Sequence, residues 1–188
     1  MTDPEDATSI SDRPLLHQAR VHLLVGPVGA GKSTRGNELA RRERAVRLTL
    51  DAWMTTLFSP DRPDTGVMPW YVERAARAVD QIWSVSLEIL RTGTSVILEI
   101  GLLQRSAREA FYARMDEAGT ELVLHVVDAP RDVRRARVLA RNEARGATFS
   151  MVVPPEIFEL ASDLWEPPDD DEIAARGAAR GQPFLRST

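Results

Sequence analysis

The residues best suited to chemistry lie in a glycine-rich segment that holds the only lysine of this 188-residue chain. The segment fits G-x-x-x-x-G-K-[ST], in which backbone N–H groups surround phosphate oxygens, the lysine reaches them and the hydroxyl binds Mg²⁺. All other basic residues are arginine, so a compact ammonium on a flexible stem is kept for this one place. We therefore predict nucleotide phosphate binding by Gly26, Pro27, Val28, Gly29, Ala30, Gly31, Lys32, Ser33 and Thr34.

The flanking sequence supports this interpretation, because a phosphate-binding loop joins a strand to a helix. Residues 21–25 are apolar apart from one histidine and predict a buried strand, and residues 33–44 predict a helix. The N-terminal N–H groups of such a helix point toward a bound anion.

Single carboxylates end the three other predicted strands, where parallel sheets place their ligands. Glu99 is expected to support Mg²⁺ beside Ser33, and the alternative is a surface acid paired with an arginine. Asp51 is expected to accept the proton of an attacking hydroxyl. Asp51 also suits the N-cap of a helix over residues 52–58, and both roles are compatible. Asp128 is interpreted as a cap or a neighbour of the nucleotide.

A stripe of arginines recurs at helical spacing in the helix predicted over residues 130–145. Its members are Arg134, Arg137, Arg141 and Arg145. Because like charges repel, the stripe favours a bound anion, and we predict that Arg137 and Arg141 contact a triphosphate and assist catalysis. The alternative is a solvated face whose arginines pair with nearby acids. The buried side of the helix is expected to contain Val133, Ala136, Leu139 and Ala140.

The elements that must position these groups alternate between strand and helix, which predicts right-handed βαβ units and a parallel sheet covered on both faces. The further predicted strands cover residues 45–50, 95–100 and 121–127, and the further helices cover 72–92, 105–118 and 154–164. Residues 52–69 contain prolines and a glycine, which predicts interrupted structure. We expect a flexible arm over residues 1–19, one domain over 20–167, and an acidic, then Arg/Ala-rich, tail over 168–188.

Composition removes several function classes. The chain has no cysteine, which excludes disulfides and thiolate metal sites and favours a cytoplasmic location. It has no apolar run long enough to span a membrane, so we expect no membrane association. Its net charge of −4 argues against broad attraction to nucleic acid. The histidines show no metal-binding spacing and are expected to be packed or capped.

Several motifs together resemble one family. They are the phosphate loop, residues 48–53, 69–74 and 96–99, and the arginine-rich residues 135–142. This combination is similar to the small P-loop kinases often labelled only as AAA-type ATP-binding proteins, among them chloramphenicol phosphotransferases, zeta toxins and polynucleotide kinase domains. No arginine finger or hexamer-type lid domain of the larger AAA proteins is visible.

The resemblance implies an α/β fold of the P-loop NTPase type, a three-layer αβα sandwich whose parallel core sheet has the order 2-3-1-4, with a helical lid region that includes residues 146–153. It implies ATP and Mg²⁺ as cofactors and phosphoryl transfer to a hydroxyl. Asp51 takes the position of the family's acceptor-activating aspartate, and Arg137 and Arg141 match its lid arginines. Glu99 departs from the family, in which aspartate is common at this position.

Two functions therefore stand open. The first is an ATP-dependent kinase for a hydroxyl-bearing substrate, in which Asp51 and Lys32 are catalytic. The acceptor is a small molecule or nucleotide-like compound, and a nucleic-acid 5′ end is less favoured because the chain is acidic. The second is an ATP-binding, slowly hydrolysing regulatory switch without an acceptor. Trp53 and Tyr71 are interpreted either as core residues or as the lining of an acceptor pocket, and the protein is expected to be a monomer or a dimer.

Overall fold

A computed structural model describes residues 19–144, 152–176 and 179–180. The predicted N-terminal arm lies outside the described residues, except for its last residue. Arg145 and most of the predicted lid loop, over residues 145–151, also lie outside them.

The central sheet is parallel, with neighbouring strands in the order β2-β3-β1-β4-β5. Its strands are β1 (Arg20–Val25), β2 (Val46–Thr49), β3 (Val96–Glu99), β4 (Glu121–Val126) and the short β5 (Ala179–Arg180). The predicted order 2-3-1-4 is confirmed for the four longer strands. The fifth strand comes from the segment that the sequence assigned to a weakly patterned tail, and it extends the sheet beside β4.

Helices follow every one of the four longer strands. They are α1 (Lys32–Glu43), α2 (Leu50–Trp53), α3 (Val67–Arg91), α4 (Arg105–Glu117), α5 (Arg131–Ala144), α6 (Pro155–Asp163) and α7 (Asp170–Arg176). Among the described residues, no helix is both long and apolar enough to cross a membrane.

The segment over residues 52–69 is more regular than predicted. A π-helix over Met54–Phe58 and a 3₁₀-helix over Ser59–Asp61 continue directly from α2, and α3 begins at Val67. Proline did not prevent this, because Pro60 lies inside the 3₁₀-turn and Pro69 lies in the first turn of α3, where its missing N–H has no helical partner to lose.

The core forms one apolar layer on each face of the sheet, between the sheet and its helices, which confirms the predicted three-layer sandwich. Alternate residues of β1 point to opposite faces, as the pleat of a strand requires. Leu23 belongs to the larger cluster, together with Ile82 of α3 and Phe111 of α4. Leu24 belongs to the smaller cluster, against Leu39 of α1. The central strand is therefore covered on both sides, and its apolar run reflects that burial.

The helix α7 was not predicted, and it is fixed to α4 by a buried ion pair. Arg108 is fully buried and donates from Nε and Nη2 to the two carboxylate oxygens of Glu172, at 2.6 and 2.8 Å. Tyr112 donates its hydroxyl hydrogen to the same carboxylate at 2.8 Å. Residues 170–176 thus pack on the domain.

Candidate active site

The loop between β1 and α1 approaches its neighbours so closely that glycine is required at two positions. A Cβ atom at Gly26, where φ is 152°, would lie 2.0 Å from the carbonyl oxygen of Val127. A Cβ atom at Gly29, where φ is 78°, would lie 2.6 Å from the carbonyl oxygen of Arg134 on α5. Gly29 occupies a variable position of the phosphate-loop pattern, so its requirement here comes from the packing of α5 against the loop.

Lys32 is the first residue of α1 and folds back over the loop. Its ammonium donates hydrogen bonds to the carbonyl oxygens of Gly26 and Pro27, at 2.8 and 2.9 Å. Desolvation by the surrounding protein lowers the pKa of Lys32, whereas the charges of Glu99 and Asp51 act in the opposite direction. Among the described residues, no side chain caps the N-terminus of α1, so its first N–H groups are available to an anion.

Ser33 and Glu99 meet as the sequence predicted. The Ser33 hydroxyl lies 3.0 Å from Oε1 and 3.3 Å from Oε2 of Glu99, which is the last residue of β3 and is buried. Glu99 also accepts a hydrogen bond of 2.6 Å from Nη2 of Arg47 on β2. Both alternatives for Glu99 are therefore present together: it lies beside the phosphate-loop hydroxyl and it pairs with an arginine.

Asp51 lies in the first turn of α2, because β2 ends at Thr49, one residue earlier than predicted. The predicted role as N-cap is wrong, because the cap is Thr49, whose hydroxyl accepts the Ala52 N–H at 3.3 Å. Asp51 is exposed as a residue, yet protein surrounds its carboxylate. That desolvation is the main cause that raises the pKa of Asp51, and the negative charge of Glu99 raises it further.

The arginine stripe on α5 faces the phosphate loop, which reverses the expected orientation of this helix. Val133 and Leu139, which were predicted on the buried side, are exposed, whereas Arg134 is buried. Ala136 and Ala140 are also exposed. The apolar residues predicted the wrong buried face of α5. The loop carbonyls that this helix covers need hydrogen-bond donors, and the arginine side of the helix supplies them.

Arg134 is the arginine most deeply built into this contact. Its Nη1 donates to the carbonyl oxygen of Val28 at 3.1 Å and to the hydroxyl of Ser162 on α6 at 3.0 Å. Its Nε donates to the carbonyl oxygen of Ala129 at 3.0 Å. Desolvation lowers the pKa of Arg134. Arg134 therefore supports the phosphate loop from behind.

Arg137 and Arg141 lie on the same side of α5 as Arg134. Nη1 of Arg137 is 3.5 Å from the carbonyl oxygen of Ala30 in the loop. The charge of Arg141 acts on the pKa values of both Lys32 and Asp51, which places its guanidinium among the site residues.

Asp128 and the two described histidines make contacts within the protein, and His17 lies outside the described residues. Asp128 accepts hydrogen bonds from the Ala129 N–H and from Nε1 of Trp165, at 2.7 and 3.1 Å. His22 and His125 pack against each other with their rings stacked, 3.0 Å between Nδ1 and Nε2. Within the described part of the chain, no group of three or more His, Cys, Asp or Glu side chains forms a metal-binding cluster.

The donor set at Ser33 and Glu99 fits Mg²⁺ rather than a metal held in a protein cage. Mg²⁺ typically takes one or two protein oxygens and completes its coordination with water and phosphate oxygens. A hydroxyl and a buried carboxylate side by side match that requirement. A triphosphate also fits, because Nε of Arg141 is buried without a hydrogen-bond partner among the described residues, next to the lysine and the uncapped helix.

The parallel sheet of order 2-3-1-4 and the strand–loop–helix with Lys32 and Ser33 define a fold of the P-loop NTPase type. A family model described as an AAA domain matches residues 21–159, which is more than half of the chain. The chain therefore belongs to the AAA domain family.

Solved structures with similar folds are kinases and a related nucleotide-binding protein. A Chloroflexus aurantiacus protein described provisionally as a kinase is 24% identical, with a TM-score of 0.62, over 80% of this chain and 79% of that one. A gluconokinase from Sinorhizobium meliloti is 17% identical, with a TM-score of 0.52, over 87% and 81%. Kti12 from Chaetomium thermophilum, in complex with ADP-AlF3, is 17% identical, with a TM-score of 0.59, over 79% and 81%. No curated protein sequence matches the chain significantly.

Sequence reasoning missed Arg47 and underrated Arg134. One signal for Arg47 was available in the sequence. It is an arginine in the short strand that leads to Asp51, and the helix before that strand contains a glycine, Gly36. For Arg134 the sequence offered only its place in the arginine stripe, which was interpreted as facing a bound anion and not as reaching the loop backbone.

Proposed function

We propose that the protein is a kinase that transfers the γ-phosphoryl group of ATP to a hydroxyl of a small-molecule or nucleotide-like acceptor. The observation that carries the proposal is Asp51. It lies close enough to Lys32 and Glu99 for their charges to act on its pKa, and Thr49 rather than Asp51 caps α2. A carboxylate that lies among these charges and is not needed as a cap suits an acceptor-side base.

The phosphate side of the proposed site consists of the loop, Lys32 and α5. Lys32 is tethered to loop carbonyls and can turn toward phosphate oxygens without leaving its place. Arg137 and Arg141 supply positive charge beside the loop. Phosphoryl transfer needs positioning and neutralisation of charge more than covalent chemistry from the protein, and these groups supply both.

In the proposed reaction, the acceptor oxygen forms a bond to the γ-phosphorus while the bond from that phosphorus to the β–γ bridging oxygen breaks, which leaves ADP. Asp51 accepts the hydroxyl proton. Its raised pKa makes the ionised carboxylate a stronger base than an ordinary aspartate. Lys32, Arg137 and Arg141 stabilise the charge on the equatorial and bridging oxygens.

Mg²⁺, when bound, would neutralise charge on the β- and γ-phosphates. Ser33 and Glu99 are the residues that would hold it. The Ser33 hydroxyl hydrogen is directed at Glu99, so the lone pairs of the hydroxyl oxygen are left for a cation.

The acceptor side is bordered by aromatic residues. Desolvation and the charge of Asp51 together raise the pKa of Tyr71 to about 12, which indicates that Tyr71 lies near Asp51. Trp53, Trp70 and Tyr71 are partly buried against the main core. This packing agrees with the interpretation of Trp53 and Tyr71 as core residues, and we propose that their free faces contact the acceptor.

The test is ATP turnover with and without a library of hydroxyl compounds, followed by mass spectrometry of the products. The proposal expects a phosphorylated compound and ADP in equal amounts, with little ADP formed when the acceptor is left out. Equal ATP hydrolysis in the presence and absence of every compound would favour the regulatory switch instead.

A further inference from the structure

Arg47 forms a short, largely buried ion pair with Glu99 of the proposed magnesium site. From β2, its Nη2 donates to Oε2 of Glu99 at 2.6 Å, and its Nη1 donates to Oδ1 of Asn37 on α1 at 3.2 Å. The side chains of Arg47 and Glu99 are 23% and 10% exposed, so the pair is largely protected from solvent. The guanidinium thus joins the end of β3 to the helix that carries Ser33.

Gly36 makes room for this arginine. A Cβ atom at Gly36 would lie 2.7 Å from Nε and 3.1 Å from Cδ of Arg47. Glycine inside a helix costs about 1 kcal/mol relative to alanine, and Gly36 lies in the middle of α1. Nε of Arg47 is also buried, and it has no hydrogen-bond partner in the part of the chain that the structure describes. The glycine in the helix and the unpaired Nε both cost stability. Together they allow the guanidinium to lie against Glu99.

We propose that Arg47 is a positioning residue for Mg²⁺. It lies in the space that Gly36 leaves beside α1, and it holds the carboxylate of Glu99 in the orientation that supports the cation beside Ser33. The proposal rests on the proposed binding of ATP with Mg²⁺ and deepens it. Arg47 acts through Glu99 and does not touch the nucleotide.

The physical reason is that the Glu99 carboxylate must keep one orientation in a crowded acidic site. The charge of Glu99 already raises the pKa of Asp51, so the two carboxylates repel each other. A guanidinium on Oε2 offsets part of that repulsion and stops the carboxylate from rotating, while Oε1 stays with Ser33. Partners that orient a metal-supporting group typically matter by about 10–100-fold in metal affinity when they are removed.

The test is calorimetric binding of the non-hydrolysable ATP analogue with a nitrogen in the β–γ bridge, measured in Mg²⁺ and again in EDTA. The quantity compared is the factor by which Mg²⁺ strengthens binding. We expect Arg47→Met to reduce that factor by about 10–100-fold while the affinity in EDTA stays within about threefold of wild type. Arg47→Lys, which keeps one charged donor, is expected to recover part of the loss.

A second variant tests the same idea with the arginine in place. Gly36→Ala is expected to displace the guanidinium and reduce the Mg²⁺ factor, although alanine favours the helix. It also guards against instability of Arg47→Met, because Gly36→Ala moves the arginine but does not remove its charge from the chain. The matched control is Arg20→Met. It removes an ion pair in which Nη1 of Arg20 lies 3.4 Å from Oε1 of Glu121, at the opposite end of the sheet. That variant should keep the wild-type factor.

The outcomes separate the two proposals. Wild-type protein that binds the analogue no better in Mg²⁺ than in EDTA contradicts the proposed function itself. A wild-type Mg²⁺ effect that is unchanged in both Arg47→Met and Gly36→Ala makes the arginine a purely structural residue and overturns the proposal made here. Tighter Mg²⁺ binding in Arg47→Met overturns it too, since the arginine would then compete with the cation by charge.

Discussion

Replacing Arg134 by methionine is the sharpest test of how α5 supports the phosphate loop. Arg134 is 5% exposed, and its guanidinium donates to Val28, Ala129 and Ser162 at 3.0 to 3.1 Å. Hydrogen bonds to a charged group contribute about 1.5–3 kcal/mol each, but they are not additive. Burial of the cation offsets part of this gain, as the lowered pKa of Arg134 indicates.

From these contributions we expect Arg134→Met to lower the free energy of unfolding by about 3 kcal/mol, because methionine keeps the apolar stem and loses the donors. For a chain of this size the melting temperature should fall by roughly 6–12 °C. Nucleotide affinity should fall as well, since the Val28 carbonyl is part of the loop. Urea unfolding, thermal unfolding and calorimetric ATP binding measure the three effects.

The neighbouring Arg135 provides a matched control. It pairs with Glu159 at 2.7 Å, but the two side chains are 48% and 39% exposed. Exposed pairs contribute about 0–1 kcal/mol, so Arg135→Met should change stability little and leave ATP binding intact. If Arg134→Met and Arg135→Met proved equally stable and bound ATP equally well, Arg134 would not support the loop and the reasoning would fail.

Three further predictions concern the nucleotide site and the histidine pair. Lys32→Ala should abolish ATP turnover without unfolding the protein, and Lys32→Arg should also be severely impaired because a planar fork cannot replace the ammonium, as steady-state assays and circular dichroism would show. Arg137→Ala and Arg141→Ala should weaken triphosphate affinity or slow transfer, measured by calorimetry and rapid quench. Burial lowers the pKa of His22, and burial with the charge of His22 lowers the pKa of His125 from 6.5 to about 4, so stability should fall as pH decreases from about 6.5 toward 4.

Each of these has a result that contradicts it. Near wild-type turnover in Lys32→Arg would refute the interpretation of the single lysine. Unchanged affinity and rate in both Arg137→Ala and Arg141→Ala would make their side of α5 a structural contact only. For the histidines, the neutral forms are favoured in the folded state, so the unfolded chain binds more protons between the two pKa values. A stability profile that is the same in His125→Leu as in wild type over that range would mean that the pair does not titrate on unfolding.

The sheet and the location of the site were predictable because local patterns determine them. The loop from Gly26 to Ser33 requires a strand before it and a helix after it, and apolar runs that close on Asp51 and Glu99 mark strand ends that meet at one edge. The structure brings these residues together, with Ser33 on Glu99 and with Lys32 and Asp51 acting on each other's pKa. The strand order came from family resemblance and was confirmed.

What the sequence did not provide depends on partners that are distant along the chain. The buried side of α5 was misassigned because apolar residues usually face the core, whereas here the carbonyl of Val28 needs Arg134. The cap of α2 was misassigned because Thr49 and Asp51 both suit that position, and only the backbone geometry decides between them. The helix α7 is too short for a periodic signal, and it is held by a long-range pair between Glu172 and Arg108.

The central claim is that Asp51 serves phosphoryl transfer to an acceptor, and Asp51→Asn tests it most directly. Asparagine keeps the size of the side chain, and Thr49 still caps α2, so folding should change little. A base used only in transfer contributes to the transition state far more than to ATP binding.

The measurement is single-turnover phosphoryl transfer to the first hydroxyl compound that shows activity, with ATP binding measured on the same protein. We expect ATP affinity within a few-fold of wild type and transfer slower by about 10²-fold or more, the usual scale for a positioned base. Transfer at the wild-type rate by Asp51→Asn would contradict the mechanism proposed for this protein.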